Sequence, residues 1–144
     1  MSWIFRPYPI PRETIDGQEK IWDIVRKRWF VSQPEEEVRQ HVLHFLAQDK
    51  GIPLSRIGVE KEIRYQQLRK RFDIVVFDRS GKPFLLIECK APEVPINQNT
   101  LNQIARYNVN LQAPHLLLTN GHQWLVFSLQ ADGTYQHQES GWYE

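Results

Sequence analysis

Three residues have the types and spacing to do chemistry: Asp73, and then Glu88 and Lys90 in the stretch Ile87-Glu88-Cys89-Lys90. Their neighbours are apolar, and each sits near the end of a segment that reads as a β-strand. If the two strands pair around a turn at Arg79-Ser80-Gly81-Lys82, then Val76 faces Leu85 and Asp73 faces Glu88. Cβ atoms so paired lie roughly 5 Å apart. Two carboxylates at that separation repel unless a cation stands between them, and a bound Mg²⁺ would answer the cost. Such an ion needs only one or two carboxylates beside water and substrate phosphate. Lys90 emerges on the face of Glu88, about 6–7 Å along the strand, where its ammonium could orient or deprotonate a metal-bound water. The Cys89 carbonyl between them is placed as a further metal ligand, while the Cys89 side chain points to the opposite face as core. The chemistry so described is hydrolysis of a phosphodiester by metal-activated water. The plainer reading of the same residues is strand-end charges exposed to solvent or paired with a lysine.

Elements on either side must hold these residues in place. Ile57 to Tyr65 reads as a strand, with Val59, Lys61, Ile63 and Tyr65 on one side. Alternation in the hairpin puts Asp73, Val75 and Phe77 on the face of Phe84, Leu86, Glu88 and Lys90. Ile74, Val76, Leu85 and Ile87 make the other face apolar as well, so the sheet is covered on both sides. A helix is expected from Pro34 toward Gly51, with a capping box from Ser32 to Glu35 and a stripe of Val38, Val42, Phe45 and Leu46. Glu37 lies at the edge of that stripe, as a terminus charge or as a carboxylate reaching toward the packed partner. A second helix is expected over Asn97 to Leu111, with Gln103 and Tyr107 four apart on its surface. Strands at His115 to Thr119 and Trp124 to Leu129 complete the sheet. Glu19 to Phe30 reads as a short helix, and residues 1–18 as an N-terminal arm rich in proline and aromatics before one domain. The expected fold class is α/β, with a central mixed sheet flanked by helices.

Composition narrows the classes further. The 144 residues are 41% hydrophobic and 24% charged, ordinary for one folded domain with a core of its own. A net charge of +1 neither demands nor forbids nucleic acid, because local basic patches suffice. Arg64, Lys70 and Arg71 form such a patch, fit to contact flanking phosphates. The single cysteine excludes an internal disulfide and fits a reducing, cytoplasmic setting. No apolar window approaches a membrane span, so no membrane association is expected. His41 and His44 stand three apart without a zinc-site context. The five tryptophans read as core and arm anchors rather than base-stacking platforms.

Four segments in order carry a family resemblance. They are Ser32-Gln33-Pro34-Glu35-Glu36-Glu37-Val38-Arg39-Gln40, Arg71-Phe72-Asp73-Ile74-Val75-Val76, Leu86-Ile87-Glu88-Cys89-Lys90-Ala91-Pro92 and Gln103-Ile104-Ala105-Arg106-Tyr107. The chain from about Ile21 to Leu129 resembles the PD-(D/E)xK nuclease superfamily, and within it the N-terminal nuclease domain of type I restriction enzyme R subunits. The resemblance implies a DNA endonuclease using Mg²⁺, with Mn²⁺ as a substitute. Asp73 and Glu88 would be its principal metal ligands and Lys90 its catalytic lysine. Glu37 would be the acid of the first core helix, and Gln103 and Tyr107 would position the DNA backbone or the catalytic groups. The sequence holds no P-loop, so the ATP-driven translocation of a full R subunit is not expected of it. Double-strand cutting by a one-site nuclease is compatible with a homodimer or a larger restriction-like assembly. The alternative is a module that keeps the nuclease fold without catalysis and binds DNA or a protein partner.

Overall fold

The computed structural model describes residues 3–65, 67–108 and 112–138, with backbone alone at 65, 68, 107 and 108. A three-stranded antiparallel meander comes first: β1 (Arg12–Ile15), β2 (Gln18–Asp23) and β3 (Arg28–Val31). Helix α1 (Pro34–His44) follows and continues through a wider π turn over Phe45–Asp49. After a 3₁₀ turn at Leu54–Arg56 come β4 (Ile57–Tyr65), β5 (Leu68–Phe77) and β6 (Pro83–Cys89). Helix α2 (Gln98–Asn108) leads into β7 (His115–Thr119), β8 (Trp124–Leu129) and β9 (Tyr135–His137). The main sheet has the order β4-β5-β6-β7-β8-β9, and only β6 and β7 run parallel. It is a mixed sheet with a helix on each face, the restriction-endonuclease-like architecture.

The two faces hold two apolar layers. Val38, Val42, Leu43 and Leu46 of α1 meet Ile74, Val76, Leu85, Ile87 and Cys89. Leu101 and Ile104 of α2 meet Phe72, Val75, Leu86, Leu116 and Leu118. Burying a leucine or phenylalanine in such a layer stabilises by about 1.5–3 kcal/mol. Because both faces of β6 are covered, its residues from Leu85 to Cys89 are all buried, and so is Glu88 among them.

Several local expectations are corrected. The segment 19–30 is a hairpin, not a helix. Its β-branched and aromatic residues alternate, so Ile21 and Asp23 turn inward while Trp22 packs edge-on against Trp29 across the strands. The hairpin turns because the Asp23 carboxylate accepts the backbone N–H groups of Val25 and Arg26, and Lys27 takes a left-handed φ of 56°. Part of the expected arm, Arg12–Ile15, is the first strand of that meander. No capping box forms at α1: Gln33 is the N-cap without a side-chain bond, and Ser32 donates to Glu37 instead. Gly51 does end the helical run, at φ 67°.

One irregularity matters for the site. Glu60, inside β4, has φ 54°, and the ladder with β5 skips the pairing between Val59↔Ile74 and Lys61↔Phe72. Alternation therefore breaks there: Val59 packs into the α1 layer and Ile63 into the α2 layer, not on one side as expected. Phe72 likewise joins Val75 in the α2 layer. At the far end the register shifts between Val76 and Phe77, and Phe84 packs against the α1 layer rather than with Leu86.

Candidate functional site

The hairpin of β5 and β6 builds the centre of the site. The ladder pairs Val76 with Leu85 and Ile74 with Ile87, the expected register. Beyond Ile74 the Asp73 carboxylate replaces the ladder bond, its Oδ2 accepting the Cys89 N–H at 2.8 Å. Asp73, in the middle of β5 rather than near its end as expected, and Glu88, near the end of β6, are thereby brought together, with side chains only 13% and 12% exposed.

The chain itself supplies Asp73 with a cation. Arg39 of α1 donates to Asp73 Oδ1 at 2.9 Å and to Glu36 at 2.8 Å. Glu60 lies 3.2 Å and Glu35 3.7 Å from the same guanidinium. The left-handed backbone at Glu60 lies beside this cluster. Burial opposes the charge on Arg39, but the hydrogen bonds and charges of Asp73 and Glu36 outweigh it and raise its pKa. The network runs on into the meander: Glu36 meets Arg26 at 3.1 Å, and Arg26 meets the fully buried Asp23 at 2.8 Å, which also accepts from Gln40. Such a buried network resists the removal of any one member, since each leaves a partner uncompensated.

Glu88 faces the other way, toward α2. Burial, and then the charge of Asp73, push its carboxyl up to about 8. Lys70 Nζ lies 3.7 Å from Glu88 Oε1, too far for a hydrogen bond, and that oxygen has no hydrogen-bond partner. Glu88, Lys90 and Lys70 line an open pocket against Thr100, Gln103 and Ile104 of α2. The Asn97 carboxamide holds the start of α2 by accepting the N–H groups of Asn99 and Thr100. Gln103 thus stands beside Glu88 and Lys90, whereas the Tyr107 side chain lies outside the described residues. The Cys89 side chain is fully buried, and burial raises its thiol pKa well above the usual range.

Glu37 is not brought to this site. Its carboxylate is bound in bidentate fashion by Arg12 of β1, at 2.7 Å twice, and by Ser32 at 2.9 Å. Burial opposes its charge, but those bonds win and lower its pKa. Two positions, about 200° around the helix, separate the roles: Glu35 is the α1 acid whose carboxyl is raised by burial and by the charge of Asp73. Sequence reasoning missed Arg39, Glu35 and Glu36. Their i, i+3 and i, i+4 spacing was a signal, and Arg39 follows directly on the buried Val38. No sequence signal placed Glu60 there.

Among the described residues, no group of three or more His, Cys, Asp and Glu side chains is disposed to hold a metal ion. Asp73 is paired with Arg39, and burial and then the Asp73 charge raise the Glu88 carboxyl.

Residues 34–139 match the family model for the type I restriction enzyme R protein N terminus. The chain belongs to that family. The match begins at α1 and takes in Arg39, Asp73, Glu88, Lys90 and Gln103, and so covers the whole site, while the β1–β3 meander precedes it. No curated protein matches the sequence. Among solved structures, a DUF820 protein from Anabaena variabilis ATCC 29413 is similar over 92% of this chain and 78% of its own, at 13% identity and a TM-score of 0.47. Among the described residues of this family member, no helix is long and apolar enough to cross a membrane.

Proposed function

We propose that this member of the R protein N-terminal family is a nuclease-fold module that binds the backbone of DNA without cutting it. The observation that carries this reading is the 2.9 Å ion pair between Arg39 and Asp73. A protein guanidinium already pairs with the Asp73 carboxylate that a metal would need. Arg39 is itself fixed by Glu36, so releasing Asp73 means breaking a buried network rather than moving a surface side chain. Lys90, Lys70 and Gln103 line the α2 pocket as donors to phosphate oxygens. Binding of this kind is dominated by phosphate charge and weakens steeply with salt.

A second reading, Mg²⁺-dependent endonuclease, is favoured by one observation: Glu88, Lys90 and Gln103 line a single open pocket. In it Asp73, Glu88 and the Cys89 carbonyl would hold the ion, which supplies Lewis acidity and an activated water. Lys90 would stabilise the charge developing on the phosphate. Calorimetric titration with Mg²⁺ separates the two. The first reading expects no saturable binding at millimolar Mg²⁺. Saturable binding by wild type that disappears in Glu88→Ala would replace it with the second.

A further inference from the structure

Strands β4 and β5 run on past the rest of the sheet. β6 pairs with β5 only over residues 74–77 and ends at Cys89, whereas the β4–β5 ladder continues from Lys61↔Phe72 to Tyr65↔Leu68. Five residues on each strand thus form a two-stranded arm beyond the end of β6. At about 3.4 Å per residue the arm is about 17 Å long. Residues 61–72 carry five basic side chains and one acidic one, net +4 in a chain of net +1, so the rest of the protein is net −3.

The two faces of the arm differ. Ile63 and Phe72 pack into the α2 layer, and Lys70 lines the α2 pocket. Alternation puts Glu62, Arg64, Arg69 and Arg71 on the opposite face, where all four are exposed. The basic patch of Arg64, Lys70 and Arg71 is therefore split, with the lysine toward α2 and the arginines away from it. Arg64 stands directly opposite Arg69 in the ladder, and like charges so placed destabilise a sheet. Compensation is thin. Glu62 lies 3.4 Å from Arg64 and Glu60 3.5 Å from Arg71, and Arg69 has no ion-pair partner among the described residues. The Arg64 and Arg71 side chains stay 62% and 67% exposed, and pairs so open hold little. A polyanion laid on this face removes a repulsion that the arm's own contacts leave in place.

Shape selects the polyanion. Two strands about 4.8 Å apart fit the roughly 12 Å major groove of B-DNA and not its roughly 6 Å minor groove. Arginine, unlike lysine, has a planar fork that matches guanine O6 and N7. Arg69 and Arg71, two residues apart on one strand, project about 6.8 Å apart, or two steps of about 3.4 Å along a duplex. We infer that the β4–β5 arm enters the major groove of duplex DNA, where Arg69 and Arg71 read guanine edges with Arg64 beside them. This rests on the reading of the domain as a DNA-binding module. It adds recognition of bases to that of the backbone, on the face of the sheet opposite the α2 pocket.

The test is fluorescence anisotropy of the full chain in EDTA, with one G·C-rich duplex and the same duplex carrying 7-deazaguanine at every guanine. That base has C–H in place of N7, so it removes a major-groove acceptor and leaves phosphates and minor groove untouched. Wild type should bind the 7-deazaguanine duplex about tenfold or more weakly, the discrimination of one or two bidentate contacts. Arg69→Lys and Arg71→Lys keep the charge and lose the fork, so each should narrow the difference and the double variant should bind both duplexes alike. Arg79→Lys, in the turn between β5 and β6, should keep the full difference. Equal binding of the two duplexes by wild type, with salt sensitivity retained, overturns the groove-reading arm and leaves the backbone reading intact. An undiminished difference in the double variant also overturns the arm's role. Displacement of DNA by poly-glutamate as readily as by unlabelled duplex of equal charge overturns it in favour of an acidic protein partner. Absence of any duplex binding overturns the backbone reading and the arm's role with it.

Discussion

Replacing Glu88 with glutamine should change how stability depends on pH, and the size of the change follows from its surroundings. The carboxyl is raised from 4.5 to about 8, by burial first and the Asp73 charge second. A folded state that holds a proton the unfolded chain has released is most favoured at low pH. Its advantage is intact below about 4.5, declines as pH rises and is gone above about 8. At about 1.4 kcal/mol for each pH interval, the ceiling is roughly 5 kcal/mol. Lys70 at 3.7 Å and entry of water relieve part of this, so a loss of about 2 kcal/mol between pH 5 and 8 is expected. His44 and His115, held below their usual pKa by burial, act in the opposite sense. Their contribution is lost as pH falls below about 6.5, in both proteins alike. The informative quantity is therefore the difference between wild type and Glu88→Gln. Urea unfolding at pH 5, 6, 7, 8 and 9 measures it. The Glu88→Gln variant keeps the size and neutrality of the protonated acid, so wild type should lose about 2 kcal/mol relative to it across the series. A difference that stays flat, or grows in favour of wild type, refutes the account of Glu88 as a buried, proton-holding acid.

Other predictions concern the parts around it. Arg39→Met strands Asp73 and Glu36 and should cost about 3–5 kcal/mol. Millimolar Mg²⁺ should raise the melting temperature of that variant and not of wild type, as differential scanning fluorimetry would show. Glu37→Gln should cost about 1 kcal/mol by loosening Arg12 and Ser32, and should leave DNA affinity within twofold in an anisotropy titration. Gly121→Ala should destabilise by about 1–3 kcal/mol. Its φ is 90°, and the added Cβ would stand 2.2 Å from the Trp3 ring, so the N-terminal arm must lift, with a red shift in tryptophan emission.

Periodicity and turn chemistry carried much of this architecture. The two-sided apolar run from Leu85 to Ile87 announced a sheet covered on both faces. The Val76–Leu85 register that brings Asp73 beside Glu88 was as expected, although Phe77 rather than Asp78 meets Pro83 and the loop is one residue longer than the expected turn. The first hairpin was hidden because Ile21, Trp22, Ile24 and Val25 fit a helical side as well as a pleated one. Only the Asp23 turn, a side chain bonding its own backbone, decides between them. The choice of helix acid failed for a related reason. Three consecutive glutamates differ by about 100° each around α1, and which one faces the sheet depends on the angle at which the helix docks. The left-handed φ at Glu60 goes with tertiary contacts to Arg39 and Arg71 rather than with any local preference of glutamate. Arg39 itself was readable as a helix-spaced partner of Glu35 and Glu36, but its reach across to Asp73 spans 34 residues of sequence.

The most direct test of the central claim uses one labelled DNA duplex and one set of samples. Anisotropy is measured across a salt series in EDTA and in Mg²⁺, and each sample is then run on a denaturing gel. A backbone-binding module whose Asp73 is held by Arg39 should bind with the same salt-sensitive affinity in both, within about twofold, and leave the DNA intact. Cleavage that requires Mg²⁺ and vanishes in Lys90→Ala, or an absence of salt-sensitive binding, would contradict it.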